Sequence, residues 1–509
     1  MLHLDIPPMT RLLLLLCCLG LAQPLHSAEK NIVFIIADDL SPTLGCYGDK
    51  VIKTPAIDAL AHDGMLFRTA FATTASCSAS RSVILSGLQN HANAQYGHQH
   101  SYHHFSAYQN VGDLALPRVL AQAGYRTGQV GKFHVAPEEV FHFEQYFKAN
   151  LRSPVEMAEA AAAFIRDNKD PRPFFLYYAT GDPHRGGGED QASAEHPNLF
   201  GNKPNHGAWP QITELFYRPE EMVVPTFLPD TPACRAELAQ YAQSVSRIDQ
   251  GVARLVQILK DAGLYEKTLI IVTSDHGMAM PGAKTTVYEP GLRVPFIVRD
   301  PYAQKRGLES EAMISHVDVT PSLLDFAGGL DVAANAPKAL VQNPPAKKKR
   351  GGDGEMENPG PPLTHYQGRS WASILEQEKP AGWDVIYASH TFHEIQMYYP
   401  MRVVRDREFK LIWNIAHPLA FPFASDLWEA PTWQAQWKLG ESAPYGVRTV
   451  GTYIHRSQFE LYDMKNDPDE RVNLAGDPRY KETLAAYVAK LKEFQKRTDD
   501  PWLLKWEYE

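Results

Sequence analysis

A buried strand that ends in two acidic residues is the feature that most restricts how this chain can fold. The stretch NIVFIIADD, residues 31–39, is apolar without alternation until it reaches Asp38 and Asp39. A continuous apolar run of this length is typical of a strand that is covered on both faces, as in a parallel sheet. Parallel strands need long crossover connections, which are usually helices. We therefore expect an α/β sheet with this acid pair at the carboxyl end of one strand.

Helix and strand patterns alternate farther along the chain. Helical spacing, a glycine turn and an apolar strand follow one another in residues 116–134 and again in residues 249–277, and a further strand pattern occupies residues 172–184. Alternating βα units of this kind predict a mostly parallel sheet that is flanked by helices. Each strand pattern ends in polar residues, and ligands bind outside the carboxyl ends of such strands. We expect the functional site at this edge of the sheet.

Residues 1–28 are predicted to be an export signal. Arg11 precedes an apolar run over residues 12–22, and small residues follow it. The run is short for a membrane-spanning helix, so a membrane anchor is the less favoured alternative. A lipid attached at Cys17 or Cys18 is a second alternative, although no small residue precedes Cys17. We expect an exported chain without a stable membrane span, in a periplasmic, extracellular or lysosome-like compartment.

Two further parts are expected after the signal. Residues 29–383 form the predicted α/β catalytic domain. Within it, residues 331–364 lack apolar periodicity and are rich in proline, glycine and lysine, which indicates a flexible surface insertion. Its KKKR run is interpreted as a solvated loop, with contact to a polyanion as the alternative. Residues 384–509 show shorter strand patterns and a final helical pattern, which predict a smaller α+β subdomain with an antiparallel sheet.

The charge and the cysteine content argue against two classes of protein, nucleic-acid binders and disulfide-stabilised domains. The formal net charge is −9 over 509 residues and is spread along the chain, so nucleic-acid binding, which usually needs a basic patch, is not expected. Without the signal, the remaining cysteines are Cys46, Cys77 and Cys234. Three cysteines do not make a disulfide framework in an exported chain of this size, and whether Cys46 and Cys234 pair stays open. At least one thiol is left over in an oxidising compartment and needs an explanation.

Acidic residues at two strand ends indicate a metal site. Asp38 and Asp39 follow the first strand, and Asp275 and His276 follow a late strand within the sequence SDHG. Three carboxylates that lie together cannot all ionise without a cation, and a hard divalent ion with oxygen ligands resolves the conflict. The alternative for Asp275 is a helix N-cap in a turn where Gly277 supplies a positive φ.

A second set of side chains at strand ends and helix starts is basic or imidazole. Its members are Arg81, Lys132, His134, His184, Arg185 and Lys284. Each has a structural explanation by itself, such as a turn for GKFH or a proline-stabilised loop for DPHR. Together they can clamp a tetrahedral oxyanion and stabilise charge that develops on it. With a divalent ion, the set fits phosphoryl or sulfuryl transfer.

The stretch CSASR, residues 77–81, resembles the motif Cys-x-(Pro/Ala)-x-Arg of the type I sulfatases, which belong to the alkaline phosphatase superfamily. FIIADD, GKFH, DPH and SDHG fall in the same order as in that family, so the resemblance covers most of residues 31–330. It implies the sulfatase fold and a maturation enzyme that oxidises Cys77 to Cα-formylglycine. It also implies a Ca²⁺ ion, preferred over Mg²⁺, with the ligands Asp38, Asp39, Cys77, Asp275 and His276.

The same resemblance implies roles for the basic set. Arg81 and Lys132 would hold the hydrated aldehyde, and His134 would assist its collapse after sulfate transfer. His184 and Lys284 would bind sulfate and protonate the leaving group.

Three further residues are our substrate-binding predictions. Arg185 is adjacent to His184, and His393 and Glu394 lie in the C-terminal part. For the pair His393–Glu394, packing between domains is an equal alternative. His103 and His104 are interpreted equally well as hydrogen-bonded structural residues or as ligands.

Longer stretches resemble the family members that remove N-linked sulfate from glucosamine. They include YGHQHSYHHF, RPFFLYYATGDPHR, HEIQMYYPMRVVRDREFKLIWNI and ELYDMKNDPDERVNLAGDPR, so this resemblance extends into the C-terminal part. Ala79 stands where many members have proline. His276 and Lys284 stand where the N-sulfate enzymes have asparagine and arginine, which leaves the choice of substrate open.

These observations predict a secreted sulfatase that acts on sulfated glycans, foremost on the N-sulfate of glucosamine in heparan or heparin. One alternative is an O-sulfatase for another sulfated sugar or polysaccharide. A second is a phosphatase or phosphodiesterase on the same scaffold, with serine, threonine or unmodified cysteine as nucleophile. A third is a non-catalytic glycan binder in which Cys77 is never converted. The oligomeric state, including a homodimer, stays open.

Overall fold

The computed structural model describes residues 30–100, 102–186, 199–204, 207–330 and 365–508. The predicted export signal, residues 1–28, and the predicted insertion, residues 331–364, lie outside these ranges. None of the helices within them combines the length and the apolar character that crossing a bilayer requires.

A nine-stranded, mostly parallel sheet dominates the described part of the chain. Its strands are β1 Asn31–Ala37, β2 Met65–Phe71, β3 Arg126–Gly131, β4 Gln145–Phe147, β5 Phe174–Ala179, β6 Thr268–Ser274, β7 Arg293–Val294, β8 Phe296–Arg299 and β9 Leu308–Ser315. The order across the sheet is β4-β3-β5-β1-β6-β8-β2-β7, and β9 pairs with β2. The consecutive strands β3, β5, β1 and β6 are parallel, whereas β8 is antiparallel to both β6 and β2. This confirms the predicted α/β class.

A smaller antiparallel sheet follows in the C-terminal part. Its strands are β10 Val385–His390, β11 Met401–Asp406, β12 Phe409–Asn414 and β15 Phe459–Asp463, in the order β10-β11-β12-β15. Between β12 and β15, the strands β13 Pro444–Tyr445 and β14 Arg448–Thr449 form a two-stranded ribbon. The predicted antiparallel sheet is confirmed, and the domain boundary at residue 384 stays a prediction.

The helices cover both sheets. They are α1 Pro55–His62, α2 Cys77–Ser86, α3 Asn90–Asn93, α4 Leu116–Gln122, α5 Pro154–Ile165, α6 Pro232–Asp261, α7 Glu289–Leu292, α8 Val319–Ala327, α9 Ser425–Trp428, α10 Pro431–Trp437, α11 Val450–Ile454, α12 Lys481–Arg497 and α13 Lys505–Tyr508. The predicted terminal helix is α12, which packs on the small sheet around Leu411 and Leu491.

Both faces of the large sheet are buried because its central strands are apolar throughout. Every residue of β1 is buried. Val33 and Ile35 belong to the core that includes α5 and α6, whereas Ile32 and Phe34 belong to the core that includes α4 and α8. Successive side chains of a strand point to opposite faces, so an apolar run without alternation fills two cores at once.

Buried polar contacts join the C-terminal part to the large sheet. The backbone N–H of Thr432 donates to the buried carboxylate of Glu237 at 2.8 Å. Lys410 on β12 is buried, and its Nζ lies 3.3 Å from Glu289 Oε1 at the start of α7. These contacts hold C-terminal residues beside the edge of the sheet where the functional site is predicted.

The cysteines of the described ranges are Cys46, Cys77 and Cys234, and all three are free thiols. Cys77 and Cys234 are buried, and Cys46 is partly exposed. The structure therefore contains no bridge between Cys46 and Cys234, the question that the sequence left open.

A buried ion pair anchors the residues that follow α12. Arg402 on β11 donates from Nε to Asp500 Oδ2 at 2.6 Å and from Nη2 to Asp500 Oδ1 at 3.0 Å. Both side chains are buried. Burial by itself raises the pKa of Asp500, but the charge and hydrogen bonds of Arg402 outweigh it and hold the pKa below its ordinary value. Removal of one partner from such a pair leaves an uncompensated buried charge.

We expect Arg402→Met to lower the free energy of unfolding by about 3–5 kcal/mol at neutral pH, because Asp500 stays buried without its partner. The lowered pKa of Asp500 stabilises the wild type above the unfolded value of about 3.9, and this contribution disappears as the pH falls. The difference in the free energy of unfolding between variant and wild type should therefore become smaller in acid. Urea unfolding at several pH values measures this difference. Glu221→Ala removes the exposed pair with Arg218 and should unfold like the wild type. Equal midpoints for Arg402→Met and wild type at neutral pH would contradict this interpretation.

Candidate active site

Four neighbouring parallel strands deliver polar side chains to one edge of the large sheet. Shortly after the strand ends come Lys132 and His134 from β3, His184 from β5, Asp38 and Asp39 from β1, and Asp275 and His276 from β6. Because β3, β5, β1 and β6 are consecutive and parallel, their carboxyl ends meet at the same edge. The structure thus brings together the acidic set and most of the basic set that the sequence singled out.

Cys77 lies at the centre of these side chains. It is the first residue of α2, and Ser76 before it has an extended backbone. Its Sγ lies 3.7 Å from Asp39 Oδ1 and 3.4 Å from His276 Nε2. The first turn of a helix presents free N–H groups and the positive end of the helix dipole, which favour negative charge. Cys77 is therefore buried where an oxyanion would be stabilised.

The backbone of two site residues is in the left-handed region. Asp39 has φ 64 and His134 has φ 56. Such conformations are uncommon outside glycine and cost about 1–3 kcal/mol, and they cluster at functional sites. The N–H of Asp39 donates to Asp275 Oδ1 at 2.9 Å, and Asp39 Oδ1 lies 3.1 Å from His276 Nε2. The turn after β1 thereby aims Asp39 at the residues that follow β6.

Asp39, Cys77, Asp275 and His276 can hold a metal ion together. Each offers one ligand atom, and the four atoms lie within 4.8 Å of one another. All four residues are buried. Carboxylate oxygens suit Ca²⁺, whereas thiol sulfur is a softer ligand that suits transition metals. The set therefore fits Ca²⁺ better if an oxygen replaces the Cys77 sulfur.

Asp38 lies beside this set and is paired with two cations. Lys132 Nζ is 2.6 Å from Asp38 Oδ2, and Arg81 Nη2 is 3.2 Å from Asp38 Oδ1. Arg81 Nε also donates to Asp275 Oδ2 at 2.9 Å. Burial raises the pKa of Asp38, but Lys132, His184 and Arg81 outweigh it and hold the pKa well below its ordinary value. Asp38 therefore stays anionic, and its role as a metal ligand stays a prediction.

Lys284 links the metal-binding set to His184. Its Nζ lies 3.0 Å from Asp39 Oδ2, 2.9 Å from His184 Nε2 and 3.0 Å from Asp426 Oδ2. Burial lowers the pKa of Lys284, but Asp39 and Asp426 outweigh it and raise the pKa well above its ordinary value. Burial and the Lys284 charge lower the pKa of His184 to about 4. At neutral pH Lys284 is the proton-bearing member of the pair, and His184 accepts its hydrogen bond.

His134 is a neutral imidazole at the same edge. Burial and the charge of Lys132 lower the pKa of His134 well below its ordinary value. Its Nε2 lies 2.7 Å from His100 Nδ1, and its buried Nδ1 has no hydrogen-bond partner. A neutral histidine with an unsatisfied ring nitrogen can exchange a proton with a bound reactant.

The structure gives Arg185 a structural role instead of the predicted contact with substrate. Its guanidinium forms an ion pair with buried Glu237 and donates to the Ala279 carbonyl oxygen at 3.1 and 2.9 Å. Arg185 is only 1% exposed. Its charge compensates Glu237, whose other oxygen accepts from the backbone of Thr432. The sequence interpretation failed here because adjacency to His184 does not fix the direction of the side chain.

His393 and Glu394 lie on the C-terminal side of the site. His393 is buried, with Nδ1 3.0 Å from the Oγ of Ser76, the residue before Cys77. Glu394 is partly exposed and accepts from Ser425 Oγ at 3.1 Å, at the start of α9. Both residues are within reach of the site, and their contact with substrate stays a prediction.

Sequence reasoning missed two residues of the site. Asp426 on α9 pairs with Lys284, but it follows no strand and belongs to no recognised motif, so no local signal could have found it. Ser80 Oγ donates to the Asp275 carbonyl oxygen at 2.5 Å and lies 3.1 Å from His316 Nδ1. The position of Ser80 inside the CSASR motif was the available signal for it.

Gly277 of the SDHG motif is required for a reason other than the positive φ that the sequence suggested. No helix begins at Asp275, so the N-cap alternative is wrong. The φ angle of Gly277 is not positive. A Cβ at Gly277 would lie 1.8 Å from the Pro290 carbonyl oxygen. Close approach of two backbone segments therefore requires glycine at this position.

Comparison with known proteins agrees with the geometry. A family model described as Sulfatase matches residues 30–329. N-sulphoglucosamine sulphohydrolase of Homo sapiens is 36% identical over 499 residues, which cover 96% of this chain and 94% of that protein. An ulvan-active sulfatase of Formosa agariphila is 27% identical over 492 residues, which cover 93% of this chain and 81% of that protein.

Solved structures show the same fold. One protein, solved in complex with its substrate D-glucosamine-2-N,6-O-disulfate, superposes with a TM-score of 0.62 and 21% identity. The match covers 93% of this chain and 98% of that chain. Both the large sheet and the C-terminal part therefore belong to the shared architecture.

We expect Ca²⁺ at about 100 times its Kd to raise the free energy of unfolding by about 2.7 kcal/mol, because only the folded chain assembles the ligands. Thermal unfolding of chelator-treated protein, with and without Ca²⁺, measures the shift. Asp275→Asn should abolish most of it by removing a ligand carboxylate. Asp384→Asn changes an exposed partner of Arg407 and should keep the full shift. An identical midpoint of the wild type with and without Ca²⁺ would exclude this site.

Proposed function

Because the chain belongs to the sulfatase family, we propose that it hydrolyses the N-linked sulfate of glucosamine residues in heparan- or heparin-type glycans. The S–N bond breaks, water supplies the new S–O bond, and the products are inorganic sulfate and a free amine. The observation that carries this proposal is the position of Cys77 among buried carboxylates and cations at the strand ends. The human N-sulphoglucosamine sulphohydrolase, which is similar over nearly its whole length, supports the choice of substrate.

Cys77 is the source of the nucleophile in this proposal. A maturation enzyme of the producing cell, with its own two-electron oxidant, would convert the CH₂–SH group to an aldehyde and release the sulfur as H₂S, giving Cα-formylglycine. The hydrated aldehyde supplies one hydroxyl that attacks sulfur and a second whose deprotonation allows sulfate to leave, which divides one difficult step into two. Burial raises the pKa of the unmodified Cys77 thiol well above its ordinary value. A reactive thiolate is therefore disfavoured at neutral pH, which argues against unmodified cysteine as the nucleophile.

The metal-binding set would hold Ca²⁺, with the oxidised Cys77 side chain as one of its ligands. When bound, the ion supplies positive charge to a sulfate oxygen and to the nucleophile. Asp39, Asp275 and His276 would provide three ligands, since their ligand atoms already lie within 4.8 Å of one another. Asp38 would join them by releasing Lys132 or Arg81 from one of its oxygens.

Two anchored cations would hold the oxidised Cys77. Arg81 is fully buried and is oriented by Asp38 and Asp275, so its guanidinium has little freedom. The Lys132 side chain is 15% exposed, which leaves its ammonium group access to the pocket. Oriented donors of this kind stabilise negative charge without reorganisation during the reaction. His134 has an unsatisfied ring nitrogen that could accept the proton of the second hydroxyl.

The pair Lys284–His184 would complete sulfate binding and protonate the departing amine. Lys284 bears the proton, and the His184 side chain beside it is 25% exposed. A proton moving from Lys284 to the nitrogen of the substrate, directly or through His184, would prevent expulsion of an amide anion. Asp39 and Asp426 hold Lys284 in place through both steps.

A second candidate is an O-sulfatase that acts on another sugar or polysaccharide. Lys284 and His276 stand where the N-sulfate enzymes have arginine and asparagine, and lysine binds sulfate as a point charge without the forked geometry of arginine. The ulvan-active sulfatase among the relatives is consistent with this candidate. An exported enzyme would meet either substrate outside the cytoplasm, and His393 and Glu394 remain our proposed contacts with the sugar.

We expect Cys77→Ser to lose at least about 10³-fold in turnover, because a serine hydroxyl cannot release sulfate by collapse to an aldehyde. The fold should be retained, since the two side chains are of similar size, and circular dichroism checks it. Mass analysis of the tryptic peptide of residues 69–81 from active wild type should show the aldehyde. Cys46→Ser alters a thiol outside the site and should keep full activity. An alkylatable Cys77 in fully active protein would refute the modification.

N-sulfated glucosamine should release sulfate at a rate at least about 100-fold above that from 6-O-sulfated glucosamine, because the human relative that is similar over nearly its whole length is an N-sulphoglucosamine sulphohydrolase. Ion chromatography of free sulfate measures both rates. Lys284→Arg should keep the preference for the N-sulfate, since arginine stands there in the N-sulfate enzymes. Release from the O-sulfated sugar alone would overturn this proposal in favour of the second candidate.

A further inference from the structure

A group of histidines lies beside the active site and is not used by the proposed reaction. Three of them, His98, His100 and His103, each offer a ring nitrogen, and these nitrogens lie within 4.8 Å of one another. We call these three residues the histidine triad. They belong to the segment that follows α3, which is held by the hydrogen bond from the backbone N–H of His98 to the His393 carbonyl oxygen at 2.9 Å.

His98 is the least satisfied member of the triad. It is 5% exposed, and neither of its ring nitrogens has a hydrogen-bond partner. A buried polar group without a partner costs about 1–3 kcal/mol, so native structures seldom leave one unpaired. Its ring lies only 3.8 Å from the His393 ring, centre to centre, but no hydrogen bond joins the two rings. The unsatisfied nitrogens indicate that a ligand belongs here.

The spacing of the triad matches that of imidazoles around one metal ion. Nitrogen ligands bound tetrahedrally to Zn²⁺ at about 2.0–2.1 Å place the ring centres about 5 Å apart. The observed distances between ring centres are 4.7 Å for His98–His100, 5.4 Å for His100–His103 and 6.0 Å for His98–His103. Only small side-chain movements therefore separate the present arrangement from a three-histidine site.

We propose that His98, His100 and His103 bind one late first-row divalent cation, with Zn²⁺ as the representative ion. Three imidazoles favour Zn²⁺, Cu²⁺ or Ni²⁺ over Ca²⁺ and Mg²⁺, which take oxygen ligands. A fourth position would be left for water, as in open zinc sites. This site differs from the Asp39–Cys77–Asp275–His276 set in residues and in preferred ion.

The free forms of the ligands suit metal binding. Both ring nitrogens of buried His98 lack a hydrogen-bond partner, so one of them is free to bind an ion. His103 Nδ1 accepts from the Ile395 N–H at 3.2 Å, a long hydrogen bond that the metal would replace. Acceptance at Nδ1 places a ring proton on Nε2, so Nδ1 is the nitrogen that faces the ion.

Metal binding would also act on His134. If Nε2 of His100 binds the metal, His100 Nδ1 carries a proton and donates it to His134 Nε2, which lies 2.7 Å away. This hydrogen bond occupies the lone pair on His134 Nε2, so the ring proton of His134 is on Nδ1. Nδ1 can then no longer accept a proton from the reactant. The ion would therefore inhibit the reaction without entering the Ca²⁺ site. This consequence rests on the proposed function, whereas metal binding itself does not.

Titration of the Ca²⁺-saturated full chain with Co²⁺, a spectroscopic substitute for Zn²⁺, tests the site. We expect one saturable site whose visible absorption is that of four-coordinate Co²⁺, lacks a thiolate charge-transfer band from Cys77, and is displaced by Zn²⁺. His100→Gln and His103→Gln each remove a ligand and should weaken binding by at least about 100-fold, since changes beyond the ligands already cost 10–100-fold. His104→Asn, in the same segment and exposed with φ 51, is the matched control and should bind like the wild type.

The outcomes separate binding from inhibition. Equal Co²⁺ affinity in the wild type and both glutamine variants, or no saturable site in the wild type, would overturn the proposal. His100 is exposed, so His100→Gln should fold even if His103→Gln does not, and thermal unfolding checks both. Zn²⁺ should lower kcat of the wild type and of His104→Asn but not of His100→Gln. Binding without this loss of kcat would keep the site and refute its action on His134.

Discussion

Compensation among buried charges is the constraint on which the rest of this structure depends. The negative members are Asp38, Asp39 and Asp275, and the positive members are Arg81, Lys132 and Lys284. Five of these six side chains are essentially inaccessible to water and the sixth, Lys132, is mostly buried. A single unpaired charge at such depth costs several kcal/mol, so no member can be placed before the others are nearby. Since they come from the ends of β1, β3 and β6, from α2 and from the segment after β6, the site forms only when these distant segments come together.

The same low-dielectric environment gives neighbouring groups different protonation states. Lys284 and His184 are 2.9 Å apart, yet the lysine keeps its proton and the histidine has a pKa of about 4. The difference arises because Asp39 and Asp426 outweigh burial at the lysine, whereas at His184 burial and the charge of Lys284 outweigh the attraction of Asp39 and Asp38. Pairs whose pKa values are pushed apart in this way can divide acid and base roles between them. The buried charge cluster thus also determines which side chains of the site carry a proton at neutral pH.

The C-terminal part is needed to complete the site. Asp426 provides the second carboxylate for Lys284, and His393 lies against Ser76 at the start of α2. The antiparallel sheet that carries these segments is held by buried pairs such as Lys410–Glu289 and by the Glu237 contact to α10. Arg185 contributes to this interface rather than to the pocket, because its charge compensates Glu237. Residues from the C-terminal part therefore line the site beside the strand ends of the large sheet.

The sequence by itself determined the α/β class, the small antiparallel sheet, the strand ends at which the polar side chains lie and the family to which the chain belongs. These follow from local signals: apolar runs, glycine turns and a short motif with fixed spacing around Cys77. Only the tertiary structure decided that Asp38 pairs with Arg81 and Lys132, while Asp39 belongs to the metal-binding set and pairs with Lys284. It also decided that Arg185 turns away, that Asp426 joins Lys284 and that three histidines converge beside His134. Periodicity and motif spacing fix where a residue lies on its own element. The direction of a side chain and its partners from distant segments depend on packing and on the pairing of buried charges, which exist only in the folded chain.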